Sequence, residues 1–267
     1  MTWVVGASSI WGSGVMLSDV RVTFGNGSEA DLVKKAFPVG RFICAGFAGS
    51  VAIGFRLIDS LRTFLLPPDE TGAWKPKWVA ETWGPVAANI FRLSPEIQRR
   101  AHSHILLVGV DHDENMGIPG MMRIYVIRLT DPNYEPEIWS KPLSVCHIGS
   151  GGGVDLYTTA LQGFFKLDND AHKAHMAGVG AWPAMLANTF GRIVKENPVS
   201  GISPHVHILI CAGATILEGN NNMTTFPGGG AAPIEVKMPH VATTYAEFLS
   251  MCQNLSIGAE AVEGAIA

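Results

Sequence analysis

Thr2 stands directly before an apolar run, and its side chain could act as a nucleophile if it became the first residue of the chain. Removal of Met1 would leave Thr2 with a hydroxyl and a free α-amine. A threonine hydroxyl is a weak nucleophile that needs a base within hydrogen-bonding reach. An α-amine, whose ordinary pKa is ~7.7–8.0, is partly neutral near pH 7 and can serve as that base. Thr2 is therefore a candidate nucleophile that carries its own base.

Three charged residues could complete such a site. Asp19 ends a predicted strand, and Lys34 and Lys35 begin another. A cation near the Thr2 amine would lower the pKa of that amine, and a carboxylate would hold the cation in place. In an antiparallel arrangement, the end of one strand and the start of the next can both approach the head of the first strand. The alternative is that these charged residues only face solvent at strand ends.

The apolar patterns group the elements into strands, two helices, strands, two helices and strands. The predicted strands are 2–9, 14–19, 21–24, the two arms of a hairpin over 34–49, several between 102 and 149, and 205–213. The predicted helices are 49–66, 79–93 with a break at Pro85, one that starts near Ser150, about 170–196, and a short one over 243–253. Grouped rather than alternating elements predict an α+β sandwich, with antiparallel sheets inside and helices outside.

Composition narrows the class of protein. Of 267 residues, 47% are apolar and 16% are charged, so the chain can bury a sizeable core or an extended subunit interface. A net charge of −4 argues against nucleic-acid binding. No apolar run of about 18 residues is present, and no cation precedes Arg21, so neither a membrane span nor a signal peptide is expected. Four cysteines without CxxC spacing favour reduced thiols, and we expect a cytoplasmic protein.

Two further patterns have more than one interpretation. The tract 149–153 reads GSGGG, which could cradle a phosphate, support catalysis through Ser150, or form a plain tight turn. The tract lacks the GxGxxG spacing and a following P-loop lysine. The pairs His102/His104 and His205/His207 alternate on strands and could bind zinc, but no third ligand is signalled, so no metal site is predicted.

Five ordered stretches carry a resemblance to a known family. They are TWVVGA, GVMLSDVRVTFGN, VKKAF, ICAGFAGS and HIGSGGG. The chain resembles the proteasome β-type subunits and, in places, the simpler bacterial HslV subunit; it is most similar to the bacterial proteasome homologues of β-proteobacteria. The similarity spans roughly residues 2–213. It implies the four-layer αββα sandwich of the N-terminal-nucleophile (Ntn) hydrolases and a threonine peptidase that uses no cofactor.

The resemblance also implies the roles of individual residues. Thr2 is the nucleophile, with its own amine as base, and Asp19 orients the catalytic lysine. That lysine is Lys35, with Lys34 as the fallback, because the residues that follow Lys35 fit the family pattern. Arg21 braces the Asp19 side of the site.

Two glycine-containing stretches supply the remaining groups that the resemblance implies. Gly49 offers a backbone N–H to the oxyanion, a role that needs close backbone approach. Ser150 forms a hydrogen bond near the Thr2 amine.

One stretch departs from the family pattern. Many proteasome subunits support the amine with an Asp-x-x-Ser-Gly motif, whereas this chain has Asn197 at the aspartate position and Ser200 at the serine position. The amide oxygen of Asn197 can accept a hydrogen bond but carries no charge. We therefore expect a slower site or a shifted pH optimum.

The resemblance also implies which residues line the pocket for the residue that precedes the cleaved bond (the S1 pocket). Its lining is apolar and consists of Val22, Val33, Phe47, Val51 and Phe55. This composition predicts cleavage after small or medium apolar residues and not after charged ones.

The resemblance further implies assembly and partners. We expect residues 1–217 to form the Ntn-hydrolase domain, with 218–267 as a C-terminal extension packed on it. The subunit is expected to form a single or double homo-oligomeric ring of six or seven copies, with peptides or unfolded proteins as substrates and an ATPase as a possible partner, and without nucleic-acid or membrane partners. The alternatives are an Ntn amidohydrolase of a small amide, a catalytically inactive ring subunit that retains Met1, and a nucleotide-binding module.

Overall fold

The chain has a mixed α+β architecture with antiparallel sheets. The computed structural model describes residues 2–9, 12–65, 74–115, 122–164, 182–212, 215–220, 223–225 and 234–267. The strands are β1 (Val4–Ser8), β2 (Ser13–Asp19), β3 (Arg21–Thr23), β4 (Glu29–Asp31), β5 (Ala36–Pro38), β6 (Ile43–Gly49), β7 (Ser103–Asn115), β8 (Met122–Thr130), β9 (Pro136–Trp139), β10 (Val145–Ile148), β11 (Val206–Ala212), β12 (Thr215–Asn220), β13 (Met223–Thr225) and β14 (Ile234–Val236). The helices are α1 (Val51–Phe64), α2 (Pro76–Leu93), α3 (Glu96–Arg99), α4 (Asp155–Phe164), α5 (Trp182–Glu196), α6 (Tyr245–Asn254) and α7 (Ala259–Glu263), with a 3₁₀ turn over Ser150–Gly153.

Two five-stranded antiparallel sheets dominate the described residues. Sheet I has the order β10-β1-β2-β11-β12, and sheet II has the order β5-β6-β7-β8-β9. The strand pairs β3-β4 and β13-β14 form two smaller sheets. In sheet I, Val4 pairs with Ser18 on one side and with Ile148 on the other. This register places the end of β2 and the end of β10 beside the start of β1, where Thr2 lies.

Side chains alternate between two apolar clusters along β1, β2 and β11 of sheet I, as a period of two requires. Val4 and Met16 lie in a cluster shared with Leu106 and Val108 of sheet II. The neighbouring residues of sheet I face the opposite way and pack against α4 and α5; their cluster contains Trp3, Val5, Leu17, Tyr157, Leu161, Leu186 and Phe190. The other face of sheet II packs on α1 and α2 in a third cluster that contains Phe37, Phe47, Leu57, Trp83 and Ile127.

Helix α1 follows directly from the end of β6. Ser50 caps it, because its hydroxyl accepts a hydrogen bond from the N–H of Ile53. Leu57 and Leu61, two of the residues on which the predicted helix depends, are fully buried. Burial of this apolar face holds the start of α1, and therefore Gly49 before it, at a fixed place against sheet II.

The helix predicted over 79–93 differs from the observed one in two ways. Helix α2 begins at Pro76, and it continues through Pro85 without a break, which corrects the predicted interruption. A proline inside a helix removes one backbone hydrogen bond. The buried side chains of Trp83 and Ala87 on either side of Pro85 anchor both halves to the same core, so tertiary packing outweighs that loss.

The C-terminal part of the chain packs on the same core as α1. Strand β12 crosses the predicted boundary at residue 217, and Phe248, Cys252 and Val262 belong to the cluster beneath α1 and α2. The Gly-rich tract 226–233 and residues 170–181 of one predicted helix lie outside the described residues.

The structure bears on the expectations about membrane-spanning helices and about the cysteines. Within the parts of the chain that the structure describes, none of the helices combines the length and the apolar character needed to cross a bilayer. Cys44, Cys146, Cys211 and Cys252 are all free thiols and all buried.

Candidate active site

Three strand ends bring Thr2, Asp19 and Lys35 together below the surface. Thr2 precedes β1, Asp19 is the last residue of β2, and Lys35 immediately precedes β5. The backbone N–H of Asp19 donates to the carbonyl oxygen of Trp3, which ties the end of β2 to the start of the chain. Asp19 and Lys35 are completely buried and Thr2 is 1% exposed. These are the three residues for which the sequence predicts the central roles.

The three functional groups contact one another directly. The hydroxyl of Thr2 donates to Oδ1 of Asp19 at 2.6 Å, and Nζ of Lys35 lies 2.8 Å from the same oxygen. Nζ of Lys35 also donates to Oγ1 of Thr2. Lys34, the fallback of the sequence analysis, instead forms an ion pair with Glu218. The lysine that contacts the threonine is therefore Lys35.

Backbone N–H groups fix the Asp19 carboxylate from two sides. The N–H of Trp3 donates to Oδ1 at 3.0 Å. The N–H groups of Arg21 and Ser203 donate to Oδ2 at 3.1 and 3.2 Å. These bonds orient the carboxylate so that Oδ1 is shared between Lys35 and Thr2.

Burial changes the acid–base character of Lys35. Desolvation lowers the pKa of its ammonium group from 10.5, while the charge of Asp19 and the hydrogen bond to it oppose this shift. The net result is a lowered pKa. Such a lysine exchanges a proton at neutral pH more readily than an exposed one.

The loop before the 3₁₀ turn holds the backbone of Thr2. The N–H of Thr2 donates to Oγ of Ser150 at 3.2 Å, and the N–H of Gly151 donates to the carbonyl oxygen of Thr2 at 3.0 Å. Gly149 has a φ of 81°, and a Cβ at this position would lie 2.4 Å from Cγ2 of Thr2. Glycine is required here by both conformation and space. Ser150 thus lies where the sequence analysis places it, beside the nitrogen of Thr2.

Packing of Trp3 secures the residue that follows Thr2. Its indole ring is fully buried and stacks on Phe190 at 4.1 Å and on Tyr157 at 4.7 Å between ring centroids. Its Nε1–H donates to Nδ1 of His147 at 3.0 Å. The chain next to Thr2 is therefore held by both apolar and polar contacts.

Gly49 lies at the junction of β6 and α1. Its φ of 99° is in the left-handed region, and a Cβ would lie 2.5 Å from the carbonyl oxygen of His102. Its N–H, the predicted oxyanion donor, donates to the oxygen of Ala267 at 2.6 Å. That N–H is therefore hydrogen-bonded to the backbone oxygen of Ala267 in this same chain.

A second carboxylate, Asp31, lies behind the site and was not identified from the sequence. Nε of Arg21 donates to Oδ1 of Asp31 at 2.7 Å, and Oγ of Ser203 donates to Oδ2 at 2.8 Å. Nδ1 of His205 lies 2.9 Å from Oδ2. Arg21 thus supports Asp19 through its backbone while its guanidinium binds Asp31. In the sequence, Asp31 is one charged residue between the glycine turn at 25–27 and the two lysines. That position does not indicate which residues would contact it.

The hydrogen bonds around Asp31 determine its ionisation. Burial raises the pKa of this carboxyl, but the hydrogen bonds from His205, Arg21 and Ser203 and the charge of Arg21 outweigh it, and the pKa is well below 3.8. An ionised Asp31 holds Ser203, whose N–H in turn contacts Asp19. Asp31 is thus linked to the central group through one intermediate residue, Ser203.

Two predicted site residues have their hydrogen bonds elsewhere. The side-chain amide of Asn197 donates to the carbonyl oxygen of Ile193, one turn earlier in α5. The hydroxyl of Ser200 donates to Glu29 at 2.5 Å. The contacts of the described residues therefore do not join Asn197 or Ser200 to Thr2, and a role for them at the amine stays a prediction.

All five residues of the predicted S1 pocket lie in one apolar cluster. Val22, Val33, Phe47, Val51 and Phe55 are each at most 1% exposed. The ring of Phe47 lies over Gly54, where a Cβ would be 2.1 Å from the ring. It also packs in a tilted arrangement against Phe55, with 5.4 Å between ring centroids. Phe47 thus fills space that a smaller residue would leave open.

One histidine of each predicted pair has a carboxylate within hydrogen-bonding distance. Nδ1 of His102 lies 3.0 Å from Asp131, and His205 contacts Asp31. Within the described ranges, no group of three or more histidine, cysteine, aspartate or glutamate side chains is arranged to hold a metal ion. Neither protein-family models nor curated proteins match this chain. The conclusions about function that follow therefore depend on the geometry around Thr2.

Proposed function

We propose that this chain is a threonine peptidase subunit of the proteasome-like and HslV-like type, which becomes active when Met1 is removed. One observation carries the proposal. The hydroxyl of Thr2, Nζ of Lys35 and the Asp19 carboxylate are within hydrogen-bonding contact in a buried site. An ion pair that contacts an otherwise ordinary hydroxyl is the arrangement that activates a nucleophile.

The first step of the proposed mechanism is hydrolysis of the Met1–Thr2 peptide bond. Water supplies the hydroxyl for Met1 and a proton for the nitrogen of Thr2, which becomes a free α-amine. Ser150 Oγ, which accepts a hydrogen bond from this nitrogen at 3.2 Å, orients the amine. The nearby Lys35 ammonium favours the neutral, proton-accepting form of the amine.

Peptide-bond cleavage then follows in two stages. Oγ1 of Thr2 adds to the carbonyl carbon of the substrate and gives its proton to the Thr2 amine, and the resulting oxyanion accepts the N–H of Gly49. Collapse breaks the C–N bond, and the leaving amine takes the proton. Water then hydrolyses the ester, which releases the acid and restores the Thr2 hydroxyl.

The packing described above supports the family and the finer fold that we propose. Helices α1 and α2 pack on one sheet, α4 and α5 pack on the other, and an apolar cluster joins the sheets. We assign this arrangement to the αββα sandwich of the Ntn hydrolases, with Thr2 at a strand end of sheet I. The assignment to the proteasome and HslV family has the same basis.

The cluster around Phe47 supports a preference for small or medium apolar residues before the cleaved bond. A charged side chain placed against Val22, Val33 and Phe55 would lose its hydration without a partner, which is costly. The proposed substrates are peptides or unfolded proteins. We further propose a cytoplasmic homo-oligomeric ring, single or double, of six or seven copies, with an ATPase as a candidate partner.

The test is intact mass spectrometry before and after a peptide epoxyketone. This reagent reacts with the hydroxyl and the free α-amine of one threonine, so it reports both. We expect loss of Met1 and one adduct per chain, absent in Thr2→Ala. The matched control is Thr63→Ala, because Thr63 is exposed on α1 and donates only to the carbonyl oxygen of Asp59. An adduct in Thr2→Ala would contradict the proposal.

The epoxyketone experiment, combined with light scattering, also separates the peptidase from two of the alternative functions. Retained Met1 without an adduct would favour an inactive ring subunit. An adduct in a monomer or dimer, measured by light scattering, would favour an Ntn amidohydrolase of a small amide.

A further inference from the structure

The last three residues of the sequence lie as a short extended segment between two backbone edges. Ile266 exchanges two backbone hydrogen bonds with Thr23, of 2.9 and 3.0 Å. Ala267 exchanges two with Gly49, of 2.7 and 2.6 Å, and the N–H of Val51 donates to the carbonyl oxygen of Ala265 at 3.1 Å. These five bonds fix residues 265–267, which we call the tail segment, as an extended stretch that bridges Thr23 and Gly49 in the manner of a bound peptide.

The tail segment presents its small side chains to the predicted S1 cluster. Ala265 and Ala267 are at most 1% exposed and belong to the same apolar cluster as Phe47 and Val51. Ile266, between them, is half-buried. This alternation follows from the period of two in an extended chain, which sends neighbouring side chains to opposite sides. The cluster thus holds alanine at two places, and the larger side chain points away from it.

The end of the tail segment lies at the group to which the proposed mechanism gives a catalytic role. Oxygen of Ala267 accepts the Gly49 N–H at 2.6 Å, which is the bond that the oxyanion would form. The N–H of Ala267 meanwhile donates to the carbonyl oxygen of the same glycine. A substrate that used Gly49 in this way would have to displace Ala267.

The segment is held in place from the preceding helix. Val262 of α7 is buried in the same cluster, and the carbonyl oxygen of Ala261 accepts the N–H of Gly25 at 3.0 Å. These anchors keep the tail segment close to its place even when its own bonds open, so it competes at high effective concentration.

We infer that residues 265–267 occupy the peptide-binding cleft of this site as a tethered peptide ligand. The inference depends on the proposed function, because it identifies this cleft with the one that binds substrate. It also names the substrate class: an extended acyl chain with small apolar side chains at the first and third positions before the cleaved bond. Displacement of a tethered competitor affects kcat/KM and leaves kcat unchanged, since saturating substrate keeps the cleft open.

The experiment compares hydrolysis of the fluorogenic peptide acetyl-Ala-Ile-Ala-aminomethylcoumarin by the whole chain and by three variants. Ile266→Pro removes the N–H that donates to Thr23, whereas its matched control Ile266→Ala removes most of the side chain and keeps that N–H. The third variant ends at Gly264. We expect kcat/KM to rise about fivefold in Ile266→Pro, the size of one backbone hydrogen bond, and about tenfold or more in the shortened chain. Ile266→Ala is expected to change kcat/KM less than about twofold.

A binding measurement keeps the two proposals separate. Fluorescein-labelled Ala-Ile-Ala is titrated by fluorescence polarisation into Thr2→Ala and into the same variant combined with each tail change. Tighter binding with Ile266→Pro but not with Ile266→Ala supports tail occupancy, even if no chain hydrolyses peptides and the proposed function fails. Hydrolysis that is equal in the whole chain and in Ile266→Pro, with equal peptide binding, would overturn the inference and leave the peptidase intact. If the shortened chain does not fold, the comparison of Ile266→Pro with Ile266→Ala still tests whether the tail segment occupies the cleft.

Discussion

Nζ of Lys35 lies 2.8 Å from Oδ1 of Asp19, and neither side chain is exposed to solvent. A buried ion pair is a weak source of stability, because desolvation of both charges offsets much of their attraction. Removal of one partner is costly, since the other charge stays buried. The pair is therefore better understood as a device that holds a cationic group against Oγ1 of Thr2.

Lys35→Met is expected to abolish most peptidase activity and to destabilise the fold. The substitution keeps the apolar stem but removes Nζ from Thr2. Loss of the cation that favours the proton-accepting form of the Thr2 amine is expected to lower rates by ~100-fold or more. The free energy of unfolding should fall by about 3 kcal/mol, because Asp19 is left buried without its cation. Turnover of the fluorogenic peptide and urea unfolding measure the two effects.

Lys34→Met is the matched control for that change. Its partner Glu218 is 43% exposed, so this pair contributes little stability, and Lys34 does not contact Thr2 in the structure described above. Activity within about twofold of the parent is expected. Equal losses in the two variants would refute a special role for Lys35.

Gly49→Ala should remove activity through the backbone. The new Cβ would lie 2.5 Å from a carbonyl oxygen, so the β6–α1 junction must shift and carry the Gly49 N–H away from the reacting carbonyl. Loss of one oxyanion donor costs ~10²–10³ in kcat. The matched control is Gly27→Ala, which has a similar positive φ of 81° but nothing within 4 Å of the new Cβ. The control should lose about 1 kcal/mol of stability and no activity.

Asp31→Asn should change how stability depends on pH. The pKa of Asp31 is lower in the folded chain than in the unfolded one, so its charge stabilises the fold above pH ~4 and this contribution is lost as pH falls toward the lower folded value. The parent should therefore be more stable than Asp31→Asn at pH 7, and the difference should narrow between pH 4 and pH 2. Urea unfolding across this range measures it. A difference that is constant from pH 7 to pH 2 would contradict the role assigned to the network of Arg21, Ser203 and His205.

Phe47→Ala should widen the predicted pocket and broaden its specificity. The ring lies over Gly54 and beside Phe55, so its removal leaves a cavity within the cluster that holds Ala267. Activity should shift toward substrates with leucine or phenylalanine before the cleaved bond. The free energy of unfolding should fall by about 3–5 kcal/mol.

Phe91→Ala separates this specificity change from the loss of stability. Phe91 lies in the same apolar cluster, at 8% exposure, but on α2. It should lose a comparable free energy and keep the substrate preference of the parent. A panel of fluorogenic peptides measures the preference, and identical profiles for both variants would contradict the assignment of Phe47 to the pocket.

The sequence alone determined most of the elements and the three central residues. Periodicities of two and of 3.6 residues placed β2, β6 and α1 within a few residues, because one face of each must be buried. The strand ends at Asp19 and Lys35 could be located for the same reason. The order of the five stretches that resemble the family then indicated that Thr2 belongs to the same site. The continuation of α2 through Pro85 could not be foreseen, because packing of Trp83 and Ala87 outweighs a local helix breaker.

Only the tertiary structure decided which distant groups meet. The hydrogen bonds of Ser203 to Asp19 and to Asp31 depend on strand register, which sequence spacing does not specify across 150 or more residues. The ion pair of Lys34 with Glu218 depends on it in the same way. The hydrogen bonds of Ser200 with Glu29 and of Ala267 with Gly49 arise in the same way. Local pattern therefore identified what could do chemistry, whereas long-range packing selected its neighbours.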